Sequence, residues 1–152
     1  MKTVEKLSLL RKEMKAHKID AFVVFSADPH LSEYLPKEWL ERAWLSGFTG
    51  SAGFVVVTLN KAGLWTDSRY FVQAAIELKD SGITLFKEGV EGTLDYADWL
   101  LQELPEGSVV ALNALATSHL AFEKLQNTLK TKKIQLQHQP LIDVVWTNRE
   151  KD

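Results

Sequence analysis

The sequence predicts an α/β domain built on a mixed β-sheet with helices on both faces. Three observations carry that expectation. Apolar runs of three to five residues alternate with longer stretches in which apolar residues recur every three or four positions. One run, Ala21-Phe22-Val23-Val24-Phe25, is apolar throughout, as in a strand covered on both faces. Two further runs, Phe54-Val55-Val56-Val57-Thr58 and Leu64-Trp65-Thr66, are joined by Leu59-Asn60-Lys61-Ala62-Gly63, short enough for a hairpin, which places an antiparallel pair in the sheet.

Each element follows in order. Val4, Leu7, Leu10 and Met14 form the apolar stripe of an amphipathic helix whose other side carries Glu5, Arg11, Lys12 and Lys15. After the first strand, Asp28-Pro29 reads as an N-cap with proline at the first helical position, opening a short turn that Pro36 stops. Trp39, Leu40, Ala43 and Trp44 fall on one side of a second short helix, and Gly47, Gly50 and Gly53 punctuate the loop into the hairpin. Asp67 caps a helix with Phe71, Ala74, Ala75 and Leu78 inward; Gly82 ends it, and Ile83-Thr84-Leu85-Phe86 is the next strand. Thr93 opens a helix with Leu94, Ala97, Leu101 and Leu104 on one face, closed by Pro105 and Gly107 before the strand Val109-Val110-Ala111-Leu112. Thr117 starts a helix through Leu120, Ala121, Leu125 and Leu129, and Ile134-Gln135-Leu136-Gln137 alternates with the period of an edge strand. One domain is expected over residues 1–146, with residues 147–152 beginning a linker.

Composition narrows the function. The 152 residues are 45% hydrophobic and 25% charged, which suits one domain with one sizeable core. The net charge is −2, from 18 basic and 20 acidic residues mixed along the chain, so there is no basic field to draw nucleic acid or anionic lipid; neither is an expected partner. No apolar run approaches the ~20 residues of a membrane helix, and charges interrupt the N-terminal MKTVEKLSLLRKEMKAHK where a signal peptide is apolar, so a cytoplasmic location is expected. With no cysteine there is no disulfide, catalytic thiolate or thiolate-bound metal.

Candidate chemistry is sparse. The glycines at 47, 50 and 53 precede a strand, whereas a phosphate-binding glycine loop follows a strand and opens a helix, so they read as a close-packed backbone path. Gly50-Ser51-Ala52-Gly53 lacks the spacing and context of a nucleophile elbow. The four histidines, at 17, 30, 119 and 138, are isolated, and no H-E-x-x-H or comparable cluster supplies the three donors a hydrolytic metal needs; no catalytic or metal residue is assigned. Asp28 and His30, at the end of the first strand, are either a cap beside a surface histidine or ligand-binding groups. Trp39 and Trp44 read as core, or else as a patch for another domain or subunit. Arg69 breaks a rule: with Asp67 as N-cap it takes the second helical position, where the macrodipole disfavours a cation. That placement marks either a structural ion pair or a guanidinium poised for forked bonding to a carboxylate or peptide carbonyl.

Several separated motifs share one resemblance. Asp28-Pro29-His30-x-Ser32-Glu33-Tyr34, the stretch Arg42-Ala43-Trp44-Leu45-Ser46-Gly47-Phe48-Thr49-Gly50-Ser51-Ala52-Gly53, and Leu64-Trp65-Thr66-Asp67-x-Arg69-Tyr70-Phe71-x-Gln73-Ala74 resemble the N-terminal domain of the three-domain Xaa-Pro aminopeptidases, the aminopeptidases P. Leu104-Pro105-Glu106-Gly107 and Leu141-Ile142-Asp143-x-x-Trp146-Thr147 fit the same pattern. The resemblance implies a creatinase N-terminal, ribonuclease-H-like fold, followed in the family by a similar second domain and a C-terminal pita-bread domain. There, two aspartates, two glutamates and a histidine hold two divalent metal ions, manganese, which activate water against the Xaa-Pro bond. None of those ligands lies in these residues, so the chain alone is expected to be a non-catalytic domain of a metallopeptidase. Its implied partners are a peptide with proline at the second position, downstream domains of the same chain, and a second copy in a homodimer. Arg69 corresponds to the family arginine that reaches toward the bound peptide, with Asp28 and His30 as further substrate-side candidates. Two positions depart from the pattern: Ser68 stands where the family has glycine, and Asn113 where it has aspartate. Creatinase and prolidase share the architecture but not this combination of motifs. The competing reading is a stand-alone binding module on the same fold.

Overall fold

The computed structural model describes residues 1–26, 37–50 and 52–146. Asp28 and His30 lie outside the described residues. Among those described, β1 (Ala21–Ser26), β2 (Gly53–Thr58), β3 (Ala62–Thr66), β4 (Thr84–Lys87), β5 (Val109–Leu112) and β6 (Gln135–His138) form one sheet in the order β4-β3-β2-β1-β5-β6. β2 is antiparallel to β1 and β3, while β3–β4, β1–β5 and β5–β6 pair in parallel. All strands but β2 therefore end at the same edge of the sheet, and β2 begins there.

The helices are α1 (Thr3–Ala16), α2 (Lys37–Ser46), α3 (Phe71–Glu77), α4 (Tyr96–Glu103), α5 (His119–Lys130) and α6 (Leu141–Val145). The alternation of side chains along β1 explains why every residue of its apolar run is buried. Phe22 and Val24 point into a core with residues of α1, α2, α3 and α6, while Ala21, Val23 and Phe25 point into one with residues of α4 and α5. The sheet thus has helices on both faces, as expected.

Local chemistry explains most departures from the sequence reading. Val4 is exposed while Leu7, Leu10 and Met14 are buried, so the buried stripe of α1 starts one turn later than its pattern suggests. The caps of α4 and α5 are Asp95 and Ser118, not Thr93 and Thr117: their oxygens accept from the backbone N–H of Ala97 and Ala121. Leu94 and Leu120 are consequently exposed, and Trp99 and Leu100 join Ala97 in the buried face of α4. Ala75 faces solvent and Ala74 and Leu78 carry the inward face of α3. Gly63 has a packing role: a Cβ there would lie 2.6 Å from Phe86 Cε2 and 2.7 Å from Trp65 Cζ3. Its bare backbone admits the parallel stack of those two rings, whose centroids are 4.1 Å apart. The Trp65 indole N–H also finds the Leu94 carbonyl at 2.8 Å, so this buried ring is fully satisfied.

Candidate substrate-facing site at the carboxyl edge

β3 delivers Arg69 to the common edge. Its last residue, Thr66, is fully buried and its hydroxyl donates to the Ala52 carbonyl at 2.8 Å, tying the strand end to the glycine segment. Asp67 then leaves the strand in extended backbone, and its Oδ1 accepts from the Arg69 backbone N–H at 3.0 Å. This cap opens a 3-10 turn over Ser68–Tyr70, with α3 starting only at Phe71. Arg69 is therefore the middle residue of a short turn rather than the second residue of an α-helix. Its side chain folds back onto the same aspartate: Nε donates to Oδ1 and Nη2 to Oδ2, both at 2.9 Å. One carboxylate thus caps the turn and grips the guanidinium as a fork.

The fork is exposed, with 59% of the Arg69 side chain and 37% of the Asp67 side chain accessible. The guanidinium carbon also sits 5.0 Å from the Tyr70 ring centroid. The hydrogen bond from the Arg69 side chain is the main reason the Asp67 carboxyl is held below the usual carboxylate range. The ion-pair reading of Arg69 is realised, with a partner two residues away. Ser68 fits the turn without a positive φ, so serine is accommodated where the resemblance has glycine.

Beneath this turn lies a clamp that the sequence did not reveal. The pattern of α2 placed Ala43 and Trp44 inward; both are half-buried, and the buried positions include Glu41, Arg42, Leu45 and Ser46. Arg42 is fully buried and its Nη2 donates to the Gly50 carbonyl, while its guanidinium carbon lies 5.0 Å from the Phe48 ring centroid. Burial lowers its pKa to about 10, against the opposing influence of Tyr70 and Glu77, so it remains a cation at neutral pH. Gly53 is held closely here, since a Cβ would sit 3.1 Å from the Trp65 carbonyl oxygen. From the other side, Glu77 accepts from the Thr49 backbone N–H at 2.9 Å and from its hydroxyl at 2.8 Å, and Gln73 donates to the same hydroxyl at 3.0 Å. The glycine segment is thereby fixed between α2 and α3, next to the turn that presents Arg69.

At the end of β4, the Glu88 backbone N–H bonds the Thr66 carbonyl at 3.0 Å. Burial, and then the charges of Asp67 and Asp95, push the Glu88 carboxyl above its usual range. Glu88 borders a cleft of ≈ 450 Å³ that Arg69 does not line. Asn113, at the end of β5, uses Oδ1 to cap the following 3-10 turn through the Leu115 N–H at 3.0 Å, a task that aspartate would perform equally. Among the described residues no three histidine, aspartate or glutamate side chains gather into a group able to hold a metal ion, so the implied metal pair does not fit the residues described. No helix of the described residues is long and apolar enough to cross a membrane.

The sheet is mixed and six-stranded with one reversed strand, and the forked Asp67–Arg69 turn stands at its carboxyl edge. The family model described as Creatinase/Prolidase N-terminal domain matches residues 6–145, and the chain belongs to that family. Among particular relatives, it is 42% identical over 146 residues to the probable Xaa-Pro aminopeptidase P of Arthroderma otae and 40% identical to that of Penicillium rubens. Those alignments take in 95% of this chain but only 23% and 24% of the two relatives, so it spans about a quarter of their length. The crystal structure of X-prolyl aminopeptidase from Caenorhabditis elegans, described as a cytosolic enzyme with a di-nuclear active site, superposes with a TM-score of 0.87 and 35% identity. It is matched over 99% of this chain and 26% of that one. The N-terminal domain of the cytoplasmic peptidase PepQ from Mycobacterium tuberculosis shares the fold at a TM-score of 0.67 and 19% identity, over 98% of that chain.

Proposed function

We propose that this chain is the non-catalytic N-terminal domain of a two-metal Xaa-Pro aminopeptidase acting in the cytoplasm, and that Arg69 contacts the peptide being cleaved. Family membership and the likeness to Xaa-Pro aminopeptidases support the class. The observation that carries the role of Arg69 is its fork on Asp67: an exposed guanidinium held in one orientation at the sheet edge where α/β domains gather ligand-binding groups. An exposed ion pair of this kind contributes only about 0–1 kcal/mol to stability, whereas an oriented guanidinium recognises a carboxylate or a peptide carbonyl with geometric selectivity. The metal pair, manganese in this reading, is held by residues outside this chain and supplies the water-activating chemistry there. The downstream domains, and a second copy of the whole, are the partners against which this domain packs.

The test is a comparison of two purified polypeptides, the 152-residue chain and the complete gene product, assayed on a peptide with proline at position two in the presence of manganese. Cleavage by the complete product alone is expected. Absence of cleavage by the complete product, or cleavage by the short chain, overturns the reading.

A further inference from the structure

The ≈ 450 Å³ cleft at the carboxyl edge lies in the size range of small-molecule sites, roughly 300–1,000 Å³. It has a construction unlike the Arg69 turn. Phe25 from the end of β1, Phe54 from the start of β2 and Tyr96 from the first turn of α4 meet as a three-ring cluster, with centroid separations of 5.3, 5.3 and 5.0 Å. Phe25 is buried, and Phe54 and Tyr96 are half-buried. Two carboxylates, Glu88 and Asp95, line the same space, and Lys124 is the basic residue on its lining, contributed by α5. Asp95 spends one oxygen on the Ala97 N–H, and among the described residues neither carboxylate is in an ion pair. β1 contributes to this opening because its pairing with β5 stops at Phe22↔Ala111, short of Phe25.

We propose that this cleft binds an organic cation, the ammonium or guanidinium of a lysine or arginine side chain. Aromatic faces carry negative electrostatic potential and attract a desolvated cation, and a half-buried carboxylate completes its hydrogen bonding. The apolar walls accommodate the aliphatic stem of such a side chain while its charged head meets Glu88 and Asp95. The elevated proton affinity of Glu88 agrees with a carboxylate short of positive charge, since burial, Asp67 and Asp95 all act in the same direction. This assignment does not depend on the peptidase reading, and no cleavage enters its test.

The experiment titrates the 152-residue chain, followed by amide NMR, with N-acetyl-lysine methylamide and with the neutral N-acetyl-norleucine methylamide. Saturable shifts around Phe54, Glu88 and Tyr96 are expected with the lysine probe, with the norleucine probe at least about tenfold weaker. Glu88→Gln is expected to weaken the lysine probe by about tenfold or more, and Tyr96→Leu by roughly 2- to 30-fold. Asp95→Asn, which keeps the oxygen that caps α4, serves as a second variant if Glu88→Gln fails to fold and is expected to weaken binding as well. Absence of saturable shifts with the lysine probe, equal binding of norleucine, or unchanged lysine affinity in the carboxylate variants would overturn the proposal.

Discussion

Replacing Arg69 with alanine in the complete polypeptide separates a stabilising role from a recognition role by magnitude. The substitution removes two hydrogen bonds of 2.9 Å to Asp67, between side chains that are 59% and 37% exposed. Exposed pairs contribute about 0.2–1 kcal/mol, and Asp67 can still cap the turn through the backbone N–H of residue 69. The exposed contact with the Tyr70 ring adds about 0.5–1 kcal/mol, so at roughly 2–4 °C per kcal/mol for a domain of this size the loss of both contacts should lower Tm by up to about 8 °C. A lost charge-assisted bond to substrate is worth about 1.5–3 kcal/mol, so kcat/KM for an Xaa-Pro peptide should drop by roughly 10- to 150-fold. Arg69→Lys should recover part of that loss, because an ammonium keeps the charge but not the planar fork. Asp67→Asn, which keeps a cap acceptor but frees the guanidinium, should reduce kcat/KM less than Arg69→Ala does. Steady-state kinetics and thermal melts of the three variants suffice. If Arg69→Ala leaves kcat/KM within twofold while Tm falls well beyond about 8 °C, the arginine is a structural residue and the recognition role is refuted.

Four further outcomes follow from the geometry. Gly63→Ala should destabilise the domain by about 1–3 kcal/mol in urea unfolding, since the added methyl collides with the stacked Trp65 and Phe86 rings. Ser118→Ala should cost about 0.5–2 kcal/mol by removing the cap of α5, read from the same transitions. For Asp67, whose folded pKa lies below its ordinary value, the stabilisation from Arg69 is present above that ordinary value and lost as pH falls through the lowered one; Arg69→Ala should therefore move the carboxyl titration upward by NMR. Glu88 has the opposite sign: its raised folded pKa means that ionisation costs stability as pH rises through the carboxylate range and beyond. Glu88→Gln should raise Tm at neutral pH, with the gain disappearing in acid.

The sequence was most informative where one residue's neighbours in the chain are also its neighbours in space. The double-sided burial of β1, the β2–β3 hairpin and the Asp67 cap all follow from local pattern. Cap positions slipped by one or two residues where Ser118 stands beside Thr117 and Asp95 near Thr93, because either residue of each pair has a suitable oxygen and the chain path decides between them. The face of α2 was misread for a different reason. Arg42 is held inside by a carbonyl eight residues away, and a periodicity argument assigns arginine to water. At five residues, α6 is too short to show a helical period. The aromatic cleft was illegible because Phe25, Phe54, Glu88, Tyr96 and Lys124 come together only when α4 and α5 close over the sheet. Motif resemblance located Arg69, yet its bond to Asp67 appears only in three dimensions.

The unequal pairing along β1 has a mechanical corollary. Six residue pairs join β1 to β2, but only Ala21↔Val110 and Phe22↔Ala111 join it to β5. At the amino end of that seam, Asp20 adds two stitches: its N–H donates to the Val109 carbonyl and its carboxylate accepts from the Val109 N–H, both at 2.8 Å. The sheet is therefore two leaves, a four-stranded one and a two-stranded one, sewn most tightly at one corner. Local opening should begin at the unstitched end and propagate toward Asp20, with the β5–β6 amides exchanging together and at lower free energy than those of β1 and β2. Asp20→Ala would remove the carboxylate stitch and keep the backbone one, so the two leaves should breathe apart more readily, seen as faster exchange of the β5–β6 amides.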